Sequence, residues 1–281
     1  MKLAFLNGQL IPESEATVSV LDRSFLYGDG LFETIRIHRG QPFCWRRHWD
    51  RLALGSRSLD LRIPLPESAL RETSQELIHR NGCEEGVLRL HLSRGVGRRG
   101  YSPAGAESPT LVLTTHPAPE ADPTRPRRWR LVTSAWPLPA FSPLTPLKTA
   151  NKLIAVMARA EAEAVGMDEA LMLNPAGHVV EGTASNVFWI DGGRLCTPPL
   201  TAGALAGITR GLVLELARDL DVPVDEPQVE PGVLQRSDGL FMTLSSLGLV
   251  PVTELDGVPL PESTLMVRLN EAYQARLAAG E

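Results

Sequence analysis

Cysteine is scarce in this chain, with Cys44, Cys83 and Cys196 far apart among 281 residues. An odd, dispersed set argues against a disulfide framework and offers no paired thiolates for zinc, so all three are expected as buried thiols. The six histidines, His38, His48, His79, His91, His116 and His178, hold no pair at the i, i+4 spacing of a helical metal site, and no metal is expected. No apolar run approaches the roughly 20 residues that span a bilayer. The opening Met1-Lys2-Leu3-Ala4-Phe5 meets Asn7-Gly8 too soon for a signal peptide, which places the protein in the cytoplasm, away from membranes. The net charge of -5 is spread along the chain, and basic residues never cluster with aromatics, so nucleic acid is not an expected partner.

What is present suits a globular α/β (α+β) protein. Hydrophobic residues at 43% and charged residues at 22% allow a sizeable core and leave little room for disorder. The length favours two domains. Pro117, Pro119, Pro123 and Pro126 remove donors and restrict φ between His116 and Arg128, so residues 118–128 read as a linker between a smaller domain, 1–117, and a larger one, 129–281.

In the first domain, short strands flank Asn7-Gly8. After the Gly28-Asp29-Gly30 break, residues 32–37 alternate towards Arg39-Gly40, and antiparallel pairing is the simplest outcome. Trp45, Trp49, Leu52 and Leu59 recur at helical spacing, residues 66–78 suggest a second helix, and 87–92 and 110–114 read as strands. In the second domain a strand at 130–134 leads through a proline-rich stretch to Lys148, after which a helix is expected at once. Its apolar stripe is Ala150, Leu153, Ile154, Met157, Ala164 and Val165, and Gly166 ends it. Hairpins are expected around Asn174-Pro175-Ala176-Gly177 and Asp191-Gly192-Gly193. Residues 207–220 read as a helix and 240–252 as mostly strand.

Gly95-Val96-Gly97-Arg98-Arg99-Gly100 spells the dinucleotide pattern G-x-G-x-x-G after an expected strand. That pattern works only when its last glycine opens a helix facing a pyrophosphate, and Tyr101-Ser102-Pro103-Ala104-Gly105 is poor helix material. A nicotinamide cofactor is therefore not expected.

Three other features converge. Lys148, in Pro146-Leu147-Lys148-Thr149-Ala150-Asn151-Lys152-Leu153, would ordinarily be a solvated lysine. At the positive end of a helix, with Leu144, Leu147 and Leu153 to desolvate it, it becomes a candidate nucleophilic amine. Glu181 ends a hydrophobic strand and is followed by the small residues Gly182-Thr183-Ala184-Ser185, which leave room for a group beside the carboxylate. Ala206-Gly207-Ile208-Thr209-Arg210 opens a helix whose N–H groups and Thr209 hydroxyl could cradle phosphate, with Ser245, Ser246 and Arg51 as further donors. A lysine, a carboxylate for a ring nitrogen and donors for a dianionic phosphate are what pyridoxal 5'-phosphate (PLP) requires.

The same residues resemble the class IV aminotransferase family of PLP enzymes, fold type IV. The blocks run in order: Asp22-Arg23-Ser24-Phe25-Leu26-Tyr27-Gly28-Asp29-Gly30-Leu31-Phe32-Glu33-Thr34-Ile35-Arg36, His48-Trp49-Asp50-Arg51-Leu52, then residues 148–153, 181–188, 206–210 and 243–252. The resemblance implies that Lys148 is the Schiff-base lysine, Glu181 the partner of the pyridine nitrogen, and Arg51, Ile208, Thr209 and Ser245 the phosphate site. It also implies a homodimer of subunits with a smaller N-terminal and a larger C-terminal α/β domain. The cofactor would lie between the domains, and a neighbouring subunit's loop near the substrate.

Ser93-Arg94-Gly95-Val96-Gly97-Arg98-Arg99-Gly100-Tyr101 is similar to the Ser-Arg-Gly-x-Gly-x-Arg-Gly-Tyr stretch of aminodeoxychorismate lyases. Phe32-Glu33-Thr34 and the spacing of Ser245, Gly248 and Pro251-Val252 suit them too. Leu244 stands where those lyases often have asparagine, and Arg98 where glycine is frequent. Lyase action on 4-amino-4-deoxychorismate, giving 4-aminobenzoate and pyruvate, is the first expectation. Transamination of D- or branched-chain amino acids is the second, and a non-catalytic PLP-binding protein the third. Tyr27, Arg94, Arg98, Arg99 and Ser246 are candidate substrate contacts.

Overall fold

The structure is a computed structural model that describes residues 1–118 and 127–280, so most of the expected linker lies outside the described residues. By packing, the chain divides into two units. The first comprises residues 1–118, 147–152 and 277–280 and the second 127–146 and 153–276, among the described residues.

The first unit holds β1 (Leu3–Leu6), β2 (Gln9–Pro12), α1 (Arg23–Tyr27), β3 (Gly30–His38), β4 (Gln41–Pro42), α2 (Trp45–Ser58), α3 (Glu67–Arg80), β5 (Glu85–Ser93) and β6 (Thr110–Pro117). Its six strands pair antiparallel in the order β2-β1-β6-β5-β3-β4, as the alternating pattern led one to expect. Leu31, Ile35 and Ile37 of β3 share one face, as period-2 alternation requires. They join Trp45 and Leu52 of α2 and Leu70, Leu77 and Ile78 of α3 in one core.

The second unit holds β7 (Trp129–Thr133), α4 (Leu153–Ala164), β8 (Glu169–Leu173), β9 (Val179–Gly182), β10 (Asn186–Asp191), β11 (Arg194–Cys196), α5 (Ile208–Asp219), β12 (Val224–Asp225), α6 (Pro231–Leu234), β13 (Gly239–Leu244), β14 (Gly248–Leu255), β15 (Val258–Pro259) and most of α7 (Thr264–Ala279). The sheet runs β12-β11-β10-β13-β14-β7-β8-β9, with β15 added to β14. It is mixed, being parallel where β7 meets β14 and β8 and where β11 meets β12. Asp191 pairs with Arg194 around Gly192 (φ 55°) and Gly193 (φ 79°), and a two-residue hairpin turn with both centres at positive φ demands such residues.

Several expectations need correction. Lys148 falls within the C-terminal domain by sequence, yet residues 147–152 pack with the first unit. Phe32 N–H donates to Lys148 O (3.0 Å), Ala150 N–H donates to Gly30 O (2.8 Å), and Leu147 enters that unit's core. Those bonds hold residues 148–150 against β3, so α4 starts at Leu153 and Lys148 is not at a helix N-terminus. The expected apolar stripe of α4 is largely outside, with Leu153 67% and Val165 59% exposed. The packed face is Ala158 and Ala162, small residues one turn apart that let the helix lie close on Ala170 and Met172 of β8. Residues 240–252 are mostly strand, as expected, and form a hairpin in which Leu244 and Gly248 close a turn at residues 245–247. Cys44 and Cys196 are buried, but Cys83 is only half-buried.

Candidate active site

In the first unit, alternation puts Glu33 on the inward face of β3 beside Leu31 and Ile35, where an unpaired carboxylate would be costly. His48 and Arg51, three residues apart on one face of α2, meet it. Arg51 donates through Nε to Oε1 (2.8 Å) and through Nη2 to Oε2 (2.6 Å), and His48 Nδ1 lies 2.7 Å from Oε2. Burial alone would raise the Glu33 pKa, but the Arg51 fork and then His48 outweigh it and bring it to about 2. Burial pushes His48 below its usual value. Glu33 pulls it upward, and the charges of Arg51 and Lys148 add to the depression. The pair is therefore an ionised carboxylate beside a neutral imidazole at pH 7.

Lys148 is half-buried, with its Nζ 4.7 Å from the centre of the Phe32 ring. Lys152 Nζ lies 5.7 Å from the same ring, and the Arg89 guanidinium stacks on it at 3.6 Å. Three cations gathered on one ring make this a strongly electropositive spot. Of the leucines expected to desolvate Lys148, Leu147 is buried, whereas Leu144 (50%) and Leu153 (67%) are exposed.

The arginine-rich segment is a built loop. The Asp22 carboxylate caps α1 by accepting from Ser24 N–H (2.8 Å), and it also holds Thr110 Oγ1 (2.8 Å) and Ser93 Oγ. Gly28 (φ 68°) ends that helix where a Cβ would touch Asn151 at 3.1 Å. Arg23 donates to the carbonyls of Gly100, Tyr101 and Ser102 (3.0 Å each) and to Asp29 Oδ2 (2.8 Å). Gly100 N–H donates to the Tyr27 hydroxyl (3.1 Å), and the Tyr27 and Tyr101 rings meet edge to face. Arg94 is tied to Asp29 Oδ2 (2.9 Å), Asp60 O (2.9 Å) and Leu59 O (2.8 Å), so this candidate substrate contact carries a structural load. Burial opposes ionisation of Asp29, but Arg94 and Arg23 together hold its pKa below the ordinary value. Arg98 and Arg99 are exposed and make no hydrogen bond or ion pair among the described residues.

The second unit holds Glu181, Ile208, Thr209, Ser245 and Ser246. Glu181 Oε2 accepts from Leu205 N–H (2.9 Å) and Asn186 Nδ2 (3.2 Å), and the same amide donates to Leu205 O (2.9 Å). The small residues after Glu181 serve a tight turn closed by Gly182 N–H to Ser185 O (2.7 Å). That turn is pinned by Glu169, a buried carboxylate with no motif around it in the sequence. It accepts from Thr183 Oγ1 (2.7 Å), Thr183 N–H (3.3 Å) and Ala170 N–H (2.8 Å). α5 begins after Gly207 with no side-chain cap, and a Cβ on Gly207 would stand 2.0 Å from Asn186 Oδ1. Thr209 is buried in its first turn, while Arg210 is drawn aside to Glu226 (2.5 Å) and Pro198 O (3.1 Å). Ser245 and Ser246 lie half-buried in the β13–β14 turn.

Sequence reasoning missed Glu33, which holds both Arg51 and His48, as well as Asn186, the Leu205 N–H and Glu169. Their signals were a carboxylate inside the apolar run of β3, a carboxylate opening the apolar strand β8, and an asparagine opening a buried strand.

Comparison with known proteins adds a family profile, amino-transferase class IV, that matches residues 30–255. A putative branched-chain-amino-acid aminotransferase of Methanocaldococcus jannaschii is 36% identical over 90% of this chain and 88% of its own length. The crystal structure of 4-amino-4-deoxychorismate lyase from Pseudomonas aeruginosa superposes with a TM-score of 0.86 at 36% identity, covering 97% of this chain and 98% of that one. The branched-chain aminotransferase from the thermophilic archaeon Thermoproteus uzoniensis, with norvaline, gives a TM-score of 0.92 at 29% identity, covering 100% and 96%.

Proposed function

Because the chain belongs to the class IV aminotransferase family, whose members are PLP-dependent transaminases or lyases, we propose that it is a lyase converting 4-amino-4-deoxychorismate to 4-aminobenzoate and pyruvate. The carrying observation is the pair Arg98 and Arg99, two exposed guanidiniums without partners among the described residues, on a loop held in shape by Arg23 and Tyr27. Such a pair suits a substrate with two carboxylates. The 36% identity to the Pseudomonas aeruginosa lyase points the same way.

The residues present fit PLP. An uncapped helix N-terminus closed by a glycine that admits no Cβ is an anion cradle, and a carboxylate oriented by the neutral donors of Leu205 and Asn186 suits a ring nitrogen. In this reading Lys148 holds the cofactor covalently and Glu181 faces its ring nitrogen. Ile208, Thr209, Ser245 and Arg51 hold its phosphate. When bound, the cofactor supplies an electron-withdrawing ring. Lys148 Nζ would take the proton from the amine-bearing ring carbon, the bond from the neighbouring ring carbon to the enolpyruvyl oxygen would break as the ring becomes aromatic, and the released enolpyruvate would take up a proton to leave as pyruvate. Glu33 fixes the Arg51 fork, and Arg98 and Arg99 clamp the carboxylates so that this carbon stays within reach of Nζ. The proposal places the enzyme in the cytoplasm as a homodimer.

A transaminase acting on branched-chain or D-amino acids is the second reading, favoured by the Methanocaldococcus jannaschii relative. The two part in one assay. Supplied with 4-amino-4-deoxychorismate, the enzyme is expected to release equal amounts of 4-aminobenzoate and pyruvate. Production of keto acids from an amino-acid panel with no aminobenzoate would refute the lyase reading. Borohydride reduction should fix the cofactor to Lys148, and an adduct on another lysine would refute that assignment.

A further inference from the structure

Thr243 lies on β13 directly opposite Asn186 of β10, so the two side chains emerge on the same face of that strand pair. Asn186 is the residue that holds Glu181 Oε2 and Leu205 O, and its Oδ1 stands where a Cβ on Gly207 would be. Thr243 therefore shares a face with the amide that organises both the carboxylate and the start of α5, two residues before Ser245. It is 2% exposed, yet its hydroxyl makes no hydrogen bond among the described residues. Two other buried hydroxyls of this unit are satisfied: Thr197 Oγ1 donates to Val187 O (2.8 Å) and Ser237 Oγ to Leu234 O (2.8 Å). A buried unpartnered hydroxyl is a cost that valine, of the same shape and equally suited to a strand, would not carry.

We propose that the Thr243 hydroxyl is a further contact of the bound cofactor, donating to it directly or through one water. It would act between the carboxylate of Glu181 and the donors of the 245–247 turn. The inference rests on the reading that the chain holds PLP with Glu181 and α5 in the roles given above, and it adds a donor outside the motif residues.

The test compares wild type, Thr243→Val and Thr243→Ser, each stripped of cofactor and then titrated with PLP, following fluorescence quenching and the absorption of the bound chromophore. Thr243→Val without cofactor should melt at the wild-type temperature or slightly above it, since the hydroxyl serves nothing in the empty fold. Its Kd for PLP should rise about tenfold, with a displaced absorption maximum, the loss expected for one hydrogen bond. Thr243→Ser should recover most of the affinity. Equal affinity of Thr243→Val and wild type would overturn the proposal alone. So would a melting point of the cofactor-free valine variant several degrees below wild type, which would make the hydroxyl a fold contact. A wild-type chain that takes up no PLP would overturn the cofactor reading and this inference with it.

Discussion

Replacing Glu33 by glutamine separates the charge of the buried cluster from its shape. In the native fold the Glu33 pKa falls from 4.5 to about 2 because the Arg51 fork and His48 outweigh burial. At about 1.4 kcal/mol per pH unit, that drop is worth about 3 kcal/mol at neutral pH. A pKa lowered in the folded state gives stability that is complete above the unfolded value and is lost as pH falls through the folded one. The Glu33 contribution should thus be intact above pH 5 and about 2 kcal/mol of it gone by pH 3. His48, also lowered, adds a separate loss that begins below its unfolded value of 6.5, because the unfolded chain takes up a proton that the buried ring resists. Glu33→Gln keeps an acceptor but leaves Arg51 without its carboxylate, so the variant should be about 3 kcal/mol less stable at pH 7. Urea denaturation of the cofactor-free proteins at pH 7 and pH 3 should show that gap shrinking to about 1 kcal/mol. A gap unchanged between the two pH values, or absent at pH 7, would refute the account of the cluster.

Gly207→Ala places a methyl 2.0 Å from Asn186 Oδ1 at a φ (-66°) any residue tolerates, so the effect is steric and local. A loss of about 1–3 kcal/mol in stability and at least tenfold weaker PLP uptake are expected in a spectrophotometric titration, and wild-type uptake would contradict this. Arg23→Ala frees three loop carbonyls at once, and limited proteolysis should then cut within residues 97–106 at a rate about tenfold higher, as the closed loop gives way to local opening. Glu169→Ala leaves the Thr183 hydroxyl and two backbone N–H groups without their acceptor. It should cost about 1–3 kcal/mol in thermal unfolding, and a variant as stable as wild type would show that the turn closes without it.

The parts of this fold legible in the sequence are those decided locally. Alternation along residues 32–37 and the Asp191-Gly192-Gly193 turn specify a strand and a hairpin through side-chain parity and positive φ, which need no distant partner. Pairing of β7 with both β8 and β14, or of β1 with β6, joins segments far apart in the chain, and no local pattern encodes it. α4 shows the limit most clearly. Its large apolar residues form the strongest helical stripe, but alanine allows the closest approach to a sheet, so the packed face is the inconspicuous one. The site divides in the same way. Lys148, Glu181 and Thr209 stand in short motifs with small or apolar neighbours, whereas Glu33 and Glu169 look like ordinary acids in strands until the residues that pair with them are brought alongside.

The segment 93–101 carries most of the likeness to lyases, and its three arginines do different work. Arg94 spends its donors on Asp29, Leu59 and Asp60, which keeps β5 joined to the end of α2. A resemblance at that position therefore speaks to loop shape, and specificity for a dicarboxylate must rest on Arg98 and Arg99. Removing either guanidinium should deprive the substrate of a charge-assisted pair worth about 1.5–3 kcal/mol, or roughly 10- to 150-fold in KM for 4-amino-4-deoxychorismate. PLP uptake and melting temperature should stay at wild-type values in both variants, because neither side chain holds anything else among the described residues. Arg94→Ala should do the reverse, lowering the melting temperature before it changes KM. If steady-state kinetics and thermal unfolding instead place the KM effect on Arg94 and the stability effect on Arg98 or Arg99, the division between shape and recognition is wrong, and the lyase reading loses the observation that carries it.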